Sequence, residues 1–246
     1  MAISATILTK NSSKTISKTL TALSFVDEII VLDNGSEDDT LKIASLFPHV
    51  KIHHSEFLGF GALHNLASGF AKNDWILSID SDEVITKELK ERILKTQLDS
   101  NCVYSFAFQN ILFGKKIRFS GWYPDRHTRL YNRKKTEFSD AKVHEKIIQD
   151  HLTEIKFKEK IEHYSYLEAR DFLRKMQVYT DLFYEQNKGK KGSFLSVVFN
   201  SLFAFIKTYI IKLGFLDGKA GFIIANYQAQ TAFYKYLKLW ESSHRC

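Results

Sequence analysis

A short apolar run that ends in three carboxylates constrains this chain more than any other feature. Trp75 to Ile79 has the bulk of a buried strand, and Asp80, Asp82 and Glu83 follow within four residues. In open α/β sheets, ligands bind in the crevice beyond the carboxyl ends of the strands, where carboxylates can hold a divalent cation and, through it, a diphosphate. Short acidic turns also cap helices, so the rest of the chain must decide between the two interpretations.

Predicted strands and helices alternate through the first hundred residues. The strands are Ile3 to Leu8, Glu28 to Asp33, Val50 to His53 and Trp75 to Ile79, and the helices are Thr15 to Leu23, Ser36 to Leu46 and Gly59 to Ala71. Ser36 and Asp39 form a capping-box-like start for the second helix, and a further helix is predicted over Thr86 to Leu98. This alternation predicts a Rossmann-like α/β fold with parallel strands.

The first strand lacks the glycine-rich turn of dinucleotide-binding proteins. Thr9-Lys10-Asn11 follows it instead, which argues against a nicotinamide or flavin dinucleotide. The second strand ends in Asp33, whose carboxylate either binds a nucleoside or caps its own turn. Because the carboxyl ends of parallel strands meet at one edge, Asp33 and the acidic motif at Asp80 should converge there.

Composition and charge divide the chain into two parts. The 246 residues, 44% of them hydrophobic, suffice for one domain and a substantial appendage. Two distant cysteines form no disulfide framework, and the absence of a secretory signal leads us to expect a cytoplasmic protein. Residues 1–166 carry a net charge of +1 and residues 167–246 a net charge of +6, so we expect a catalytic domain and a basic helical extension, divided at 166.

Motifs along nearly the whole chain resemble those of family 2 glycosyltransferases of the GT-A fold. More narrowly, they resemble the bacterial lipopolysaccharide core glucosyltransferases of the WaaE/KdtX type. The similar segments are Thr9 to Asn11, Val31 to Thr40, Gly59 to Ala62 with Asn65, Trp75 to Glu83, Gly121 to Asp125, Arg129 to Tyr131, Val143 to Glu145, and Gly214 to Gly218 with Ala220 to Phe222. Two positions depart from the family pattern: Ser12 replaces an acidic residue, and His64 replaces a Lys or Arg.

The resemblance implies inverting transfer of glucose from UDP-glucose to an inner-core heptose of lipooligosaccharide. It also implies a Mg²⁺ or Mn²⁺ ion on the diphosphate, with Asp82 as principal ligand. His144 is a further metal or diphosphate ligand, or a structural histidine, and Glu83 either supports the site or starts the next helix. The residues expected to bind the donor are Thr9, Asn11, Asp33, Gly61, Asn65, Asp80 and Arg129.

Two carboxylates compete for the role of catalytic base. Asp125 follows Trp122, Tyr123 and Pro124, and partial burial in this aromatic loop would raise its pKa towards the value that a base needs. Glu145 is the alternative, so the base stays open between the two. Arg126 and Arg129 are candidate phosphate contacts, although Arg129 could equally face solvent from a strand.

Two other classes of function compete with the transferase. Asp80 to Val84 also fits the D-x-D-x-[TV] nucleophile motif of haloacid-dehalogenase phosphatases. The later lysine and the paired acids that those enzymes need are not evident in the sequence. A non-enzymatic membrane-binding or RNA-binding module would account for the basic extension and leave the acidic motif unexplained.

The extension contains an apolar segment, Phe194 to Ile206, that at thirteen residues is too short to span a bilayer. With the aromatic stretches Tyr209 to Leu216 and Phe222 to Trp240 it predicts helices interspersed with lysines. We expect the extension to rest on the anionic cytoplasmic leaflet of the inner membrane, and we expect no nucleic-acid partner. A helical cap on the catalytic domain or a dimer interface is the alternative.

Overall fold

A computed structural model describes residues 2–140 and 145–244 of the chain. The strands are β1 Ile3–Thr9, β2 Glu28–Asp33, β3 Val50–His54, β4 Trp75–Asp80, β5 Glu83–Ile85, β6 Cys102–Leu112, β7 Lys115–Lys116, β8 Asp125–Asn132 and β9 Thr153–Tyr166. The helices are α1 Ile16–Ala22, α2 Thr40–Ala44, α3 Phe60–Gly69, α4 Lys87–Lys95, α5 Ala169–Gln186, α6 Phe194–Ile206 and α7 Lys219–Ser242. A π-helical turn covers Lys207–Ile211 and a 3₁₀ turn covers Gly214–Asp217.

The strands form one mixed sheet in the order β3-β2-β1-β4-β8-β6-β9-β5, and β7 pairs with the end of β6. The first four strands are parallel, as the βαβ alternation predicts. The predicted α/β fold is thereby confirmed. Thr9 pairs with Asp33 and Leu8 pairs with Asp80, so the ends of β2 and β4 lie on either side of β1 at the same edge of the sheet.

The core lies on both faces of this sheet. Every residue of β1 is buried, because α1 packs on Ile3, Ala5 and Ile7 and α3 packs on Leu8. Tyr104 and Phe106 of β6 are fully buried, and the rings of both lie 5.6 Å from that of Phe157 on β9. Each such ring contributes on the order of 2 kcal/mol through burial, so aromatic packing fixes β6 and β9 in the sheet.

The chain divides into two compact units, residues 1–108 with 125–163 and residues 109–124 with 164–246. The division expected at 166 therefore differs from the structural one, since the segment 109–124 belongs to the second unit. Asp217 shows why. Its buried carboxylate accepts hydrogen bonds from the backbone N–H groups of Arg118 and Phe119 and from the hydroxyl of Ser120, at 3.0 to 3.1 Å.

One predicted helix start is wrong, and one of the two alternatives for Glu83 is excluded. The second helix begins at Thr40 rather than Ser36, because the Ser36 hydroxyl donates to Asp33 at 2.5 Å instead of capping a helix. Glu83 does not start a helix either, since it lies in β5. The next helix is capped by Thr86, whose hydroxyl oxygen accepts from the backbone N–H of Leu89 at 3.3 Å.

The apolar segment of the extension is longer than the sequence predicts. Helix α6 has the predicted bounds, but the following residues continue as a π-helical turn to Ile211 instead of stopping at Lys207. Among the described residues, the 18-residue stretch Phe194–Ile211 has the length and composition of a membrane span, so the conclusion that it is too short was wrong. Only 11% of this stretch is buried.

Candidate active site

A buried arginine joins two of the three carboxylates that follow β4. The guanidinium of Arg129 donates to Asp80 Oδ2 at 2.7 Å and makes a short contact with Glu83 Oε1. The second oxygen of Glu83 accepts from the backbone N–H of Asp80 at 3.0 Å. Glu83 is therefore part of this site, and Arg129, at 9% exposed, does not face solvent. Both contacts use Nη2 of the guanidinium.

Charge in this triad is distributed unequally. Desolvation would raise the pKa of Asp80, but the positive charge of Arg129, helped by His64, outweighs it and lowers that pKa well below its usual range. Burial raises the pKa of Glu83, and the like charge of Asp80 adds to this effect against the opposing charge of Arg129. Asp80 is thus the carboxylate held ionised at the end of β4.

Asp82 faces a histidine that sequence reasoning did not select. His163 Nε2 on β9 lies 3.6 Å from Asp82 Oδ1, and both side chains are about a quarter exposed. Among the described residues, no group of three or more His, Cys, Asp or Glu side chains is arranged to hold a metal. The two donors still fit an ion such as Mn²⁺, which accepts carboxylate and imidazole ligands, if the diphosphate and water supply the other ligands.

Asp125 pairs with a second histidine. His127 Nε2 lies 3.1 Å from Asp125 Oδ1. The hydrogen bond from His127 lowers the pKa of Asp125 despite the opposing effect of burial, and the charge of His127 adds to the lowering. The expectation of a raised pKa for this carboxyl was therefore wrong, because the specific partner outweighs desolvation.

The ring of Phe108 lies among these charged side chains. The His127 and His163 rings meet it edge-on, with centroids at 4.8 and 6.0 Å, and the Arg129 guanidinium lies 5.5 Å from its centre. Phe108 is 1% exposed. One aromatic side chain thus supports both Asp-His pairs and the arginine of the triad.

His64 borders the site from α3. It is buried, its Nδ1 lies 3.1 Å from the Ser78 hydroxyl, and its ring stacks on Phe138 at 4.3 Å. Burial lowers its pKa to about 4, with Asp80 opposing and Arg129 adding to the shift. Glu145 Oε1, from the alternative base, lies 3.9 Å from His64 Nε2. His144, expected as a metal ligand, lies outside the described residues.

The carboxylate of Asp33 accepts hydrogen bonds from the turn that follows β2. Asp33 is buried and accepts from the backbone N–H groups of Gly35 and Ser36 at 3.0 to 3.2 Å and from the Ser36 hydroxyl. His54 Nδ1 lies 3.5 Å away. These donors occupy the roughly four lone-pair positions of a carboxylate, so the structure favours the turn-capping role over the nucleoside contact.

Two asparagines of the expected donor-binding set also bind backbone. Asn11 accepts from the Glu37 N–H at 2.8 Å, while Asn65 both donates to the Phe138 carbonyl at 2.9 Å and accepts from its N–H at 2.8 Å. Gly61 is buried in the first turn of α3. Thr9, the last residue of β1, is buried, and its hydroxyl has no hydrogen-bond partner among the described residues.

Period-two spacing is the sequence signal that could have identified His127. Asp125 and His127 lie two residues apart on β8, opposite Phe108 and Phe106 of β6, and therefore share one face of the strand. The register shifts before Leu130, so Arg129 lies at an irregularity that this spacing does not predict. His163 carries no comparable local signal, because it reaches the site through the pairing of β9 with β5, where it lies opposite Glu83. Long-range strand pairing was thus necessary to find it.

Comparison with known proteins identifies relatives along the whole chain. The sequence model described as "Glycosyl transferase family 2" matches residues 4–154. The chain is 30% identical to an uncharacterized glycosyltransferase of Rickettsia conorii, RC0292, over 98% of this chain and 90% of that protein. It is 24% identical to the lipopolysaccharide core biosynthesis glycosyltransferase LpsC of Rhizobium meliloti, over 97% of this chain and 92% of LpsC.

Among solved structures, S. aureus TarS aligns with 99% of this chain at 17% identity and a TM-score of 0.48. The chain spans about half of that protein, 54% of its length. The family model alone covers more than half of the present chain, and it includes the whole acidic motif and both Asp125 and His127. The protein is a glycosyltransferase, and the chain belongs to glycosyl transferase family 2.

Proposed function

We propose that this glycosyltransferase moves a sugar, glucose by resemblance, from a UDP-sugar to an inner-core sugar of lipopolysaccharide, with inversion at the anomeric carbon. The observation that carries the proposal is the convergence of Asp80, Asp82 and Asp125 with Arg129 and His163 around Phe108. LpsC is named for lipopolysaccharide core biosynthesis, and its similarity over nearly the whole chain favours this acceptor.

A Mg²⁺ or Mn²⁺ ion bound here would neutralise the charge that develops on the departing diphosphate. Asp82 and His163 are the side chains that would hold it. Asp80, fixed by Arg129 and by Glu83, lies two residues before Asp82 at the end of β4. These residues thus orient the donor and keep a negative charge in place before it binds.

The acceptor hydroxyl must lose a proton as its oxygen bonds to the anomeric carbon and the bond to the diphosphate breaks. Asp125 suits this role because its side chain is 40% exposed, so an acceptor hydroxyl can reach it. His127 Nε2 lies 3.1 Å from Asp125 Oδ1 and so orients the carboxylate. Glu145, beside His64, is the competing base.

Nucleotide binding tests the donor side of the proposal. Calorimetric titration with UDP, UDP-glucose, UDP-galactose and a GDP-sugar, with and without Mn²⁺, should show metal-dependent UDP-sugar binding that Asp82→Asn loses. Asp74→Asn is the matched control, since Asp74 immediately precedes β4, is 40% exposed and pairs with Lys134 at 2.8 Å. The control should bind as the wild type does; equal loss in both variants, or no nucleotide binding at all, would contradict the proposal.

Transfer kinetics distinguish the two bases. Asp125→Asn should lower kcat by about 10²- to 10⁴-fold while UDP affinity stays within a factor of two, because a base acts in the transition state. Glu145→Gln should then have a small effect. The reverse ranking of the two variants would assign the base to Glu145 and reduce Asp125 to acceptor positioning.

The phosphatase alternative loses its support. The chain belongs to family 2, and Asp80, the nucleophile of that alternative, is committed to Arg129 at 2.7 Å. A carboxylate paired in this way is a poor nucleophile for a phosphoryl group. Release of phosphate from a phosphomonoester by the purified protein would reopen the alternative.

A further inference from the structure

Helix α6 displays a continuous apolar stripe. Its members are spaced as i, i+4, i+7, i+8, i+11 and i+15, which places them on one side of a helix. They are between 40% and 66% exposed: Leu195, Phe199, Leu202, Phe203, Ile206 and Ile210. Soluble proteins rarely leave such a patch in water without a partner.

The opposite side of the same helix packs on α7. Val197 is completely buried, and the Ser201 hydroxyl donates to the Ala229 carbonyl of α7 at 3.0 Å. Near the start of α6 the Phe194 ring lies 5.8 Å from Trp240, and beyond its end the Tyr209 ring lies 5.9 Å from Phe222. The two helices are therefore antiparallel neighbours along their full length, and the stripe is the side that α7 leaves uncovered.

The charge of this region identifies what can cover the stripe. Residues 186–240 contain eight lysines and one acid, Asp217, whose carboxylate is buried and hydrogen-bonded. Exposed lysines precede the stripe at 190 and 191 and follow its central part at 207 and 212. A second copy of the chain would bring another set of cations to the same place, whereas anionic lipid headgroups would neutralise them.

We propose that α6 and the π-helical turn after it lie flat in the headgroup region of a bilayer that contains anionic lipid, with the stripe inserted and the lysines on the lipid phosphates. This orientation brings a transferase to the surface where a lipid-linked acceptor is found. The proposal does not depend on the identity of the donor or of the base.

A spanning orientation conflicts with the packing of α7. Because α7 runs beside α6 throughout, it would have to enter the hydrocarbon with α6. Lys238 of α7 donates to Asp181 of α5 at 2.5 Å and to Thr180 at 2.7 Å, and these charges would be carried below the headgroups. Charged side chains at that depth are costly, while a flat helix keeps them in water.

Vesicle flotation of the full chain tests the proposal. Wild-type protein should bind vesicles of phosphatidylcholine with phosphatidylglycerol more tightly than vesicles of phosphatidylcholine alone. Phe199→Glu/Phe203→Glu should lower the partition coefficient more than tenfold. Lys191→Gln/Lys207→Gln should lower it about tenfold for the anionic vesicles only, since each lysine contributes through the surface potential.

Leu46→Glu/Phe57→Glu is the matched control. It removes two apolar side chains that are 76% and 60% exposed in the first unit, far along the chain from the stripe. Its vesicle binding should equal that of the wild type. Unchanged binding by the Phe199→Glu/Phe203→Glu variant, or an equal loss in the control, would overturn the proposal.

Two further readouts separate the competing occupants and orientations. Light scattering should give the same molar mass for the wild type and the Phe199→Glu/Phe203→Glu variant; a wild-type dimer that the variant dissociates, without vesicle binding, would assign the stripe to a second copy. Alkaline carbonate should release the bound protein from vesicles. Retention after that treatment would overturn the flat orientation.

Discussion

The two units of this protein depart from the ordinary soluble pattern in opposite ways. The first unit buries ionisable side chains: Arg129, Glu83 and His64 are all less than a tenth exposed. The second unit exposes apolar side chains along α6 while it buries a single acid, Asp217. Each departure costs free energy in an isolated protein, by desolvation in the first unit and by hydration of apolar surface in the second.

Under the two proposals above, the difference marks where each unit would meet other molecules. Buried charge is maintained at the carboxyl ends of strands, where it fixes side chains that must face a small charged ligand. Exposed apolar surface occurs where the partner is an extended surface that makes no directional contacts. Substitutions of the buried ionisable residues in the first unit and of tightly packed residues in the second should therefore change stability by different amounts.

The largest effect on stability is expected for Arg129→Met. The variant keeps the length of the side chain but leaves Asp80 and Glu83 as uncompensated carboxylates, so we expect the free energy of unfolding to fall by about 3 kcal/mol. Uptake of a proton by Glu83, whose pKa is raised, limits the loss. Urea denaturation measures it.

Lys134→Met provides the comparison. Lys134 pairs with Asp74 at 2.8 Å, but the side chains are 70% and 40% exposed, so water screens the pair and its loss should cost less than about 1 kcal/mol. If the two variants are equally stable, burial is not what distinguishes the Arg129 triad from a surface ion pair.

The second unit should be most sensitive at Gly221. A Cβ at this position of α7 would lie 1.7 Å from the carbonyl oxygen of Gly214, which is backbone and cannot rotate away. Gly221→Ala should therefore destabilise the packing of α7 on the 3₁₀ turn by about 2 kcal/mol. Hydrogen exchange followed by mass spectrometry should show faster exchange in α7 peptides and no change in β1.

Gly69→Ala sharpens this test in the first unit. No heavy atom lies within 4 Å of a Cβ at Gly69, which ends α3, so the substitution should be neutral or stabilise by up to about 1 kcal/mol. Unchanged exchange in α7 of Gly221→Ala would mean that the 3₁₀ turn adapts and that the glycine is not required there.

The smallest expected effect is a pH dependence caused by His64. Burial lowers its pKa to about 4, while an unfolded histidine titrates near 6.5, so the unfolded chain takes up a proton first as the pH falls. Between pH ~7.5 and ~5.5 this one group should lower the free energy of unfolding by about 1 kcal/mol. The stabilising contribution is complete above the unfolded pKa and is lost as the pH falls below it.

His64→Gln should remove that part of the slope. His49→Gln, in which an exposed histidine is replaced, should keep the wild-type slope. Urea denaturation at several pH values measures both. Parallel slopes for His64→Gln and the wild type would show that His64 takes up its proton in the folded protein as readily as in the unfolded chain.

The parallel half of the fold follows from local sequence. Apolar runs such as Ile29 to Leu32 and Trp75 to Ile79 end in acids, and the helices between them set the spacing. The parallel pairing and the placement of Asp33 and Asp80 at one edge of the sheet could therefore be derived. The bounds of α6 were also predicted correctly, since apolar residues run continuously between Ser193 and Lys207.

Other features depend on contacts between distant residues and have no local signal. Arg129 was expected to bind phosphate or face solvent, and only the pairing of β8 with β4 brings it to Asp80. Asn65 is used by the backbone of Phe138, 73 residues away. The π-helical turn that begins at Lys207 also has no local signal. Composition does not encode hydrogen bonds between residues i and i+5.

Glu83 restrains Asp80 through two contacts, and this restraint affects the entropy of ligand binding. One oxygen of Glu83 accepts a hydrogen bond from the backbone N–H of Asp80. The other accepts from Arg129, which also donates to the Asp80 carboxylate. Asp80 therefore loses its rotameric freedom when the chain folds. A ligand that contacted it would avoid an ordering cost of about 0.5–1.5 kcal/mol, so the fourth residue of the acidic motif would contribute to affinity without touching the ligand.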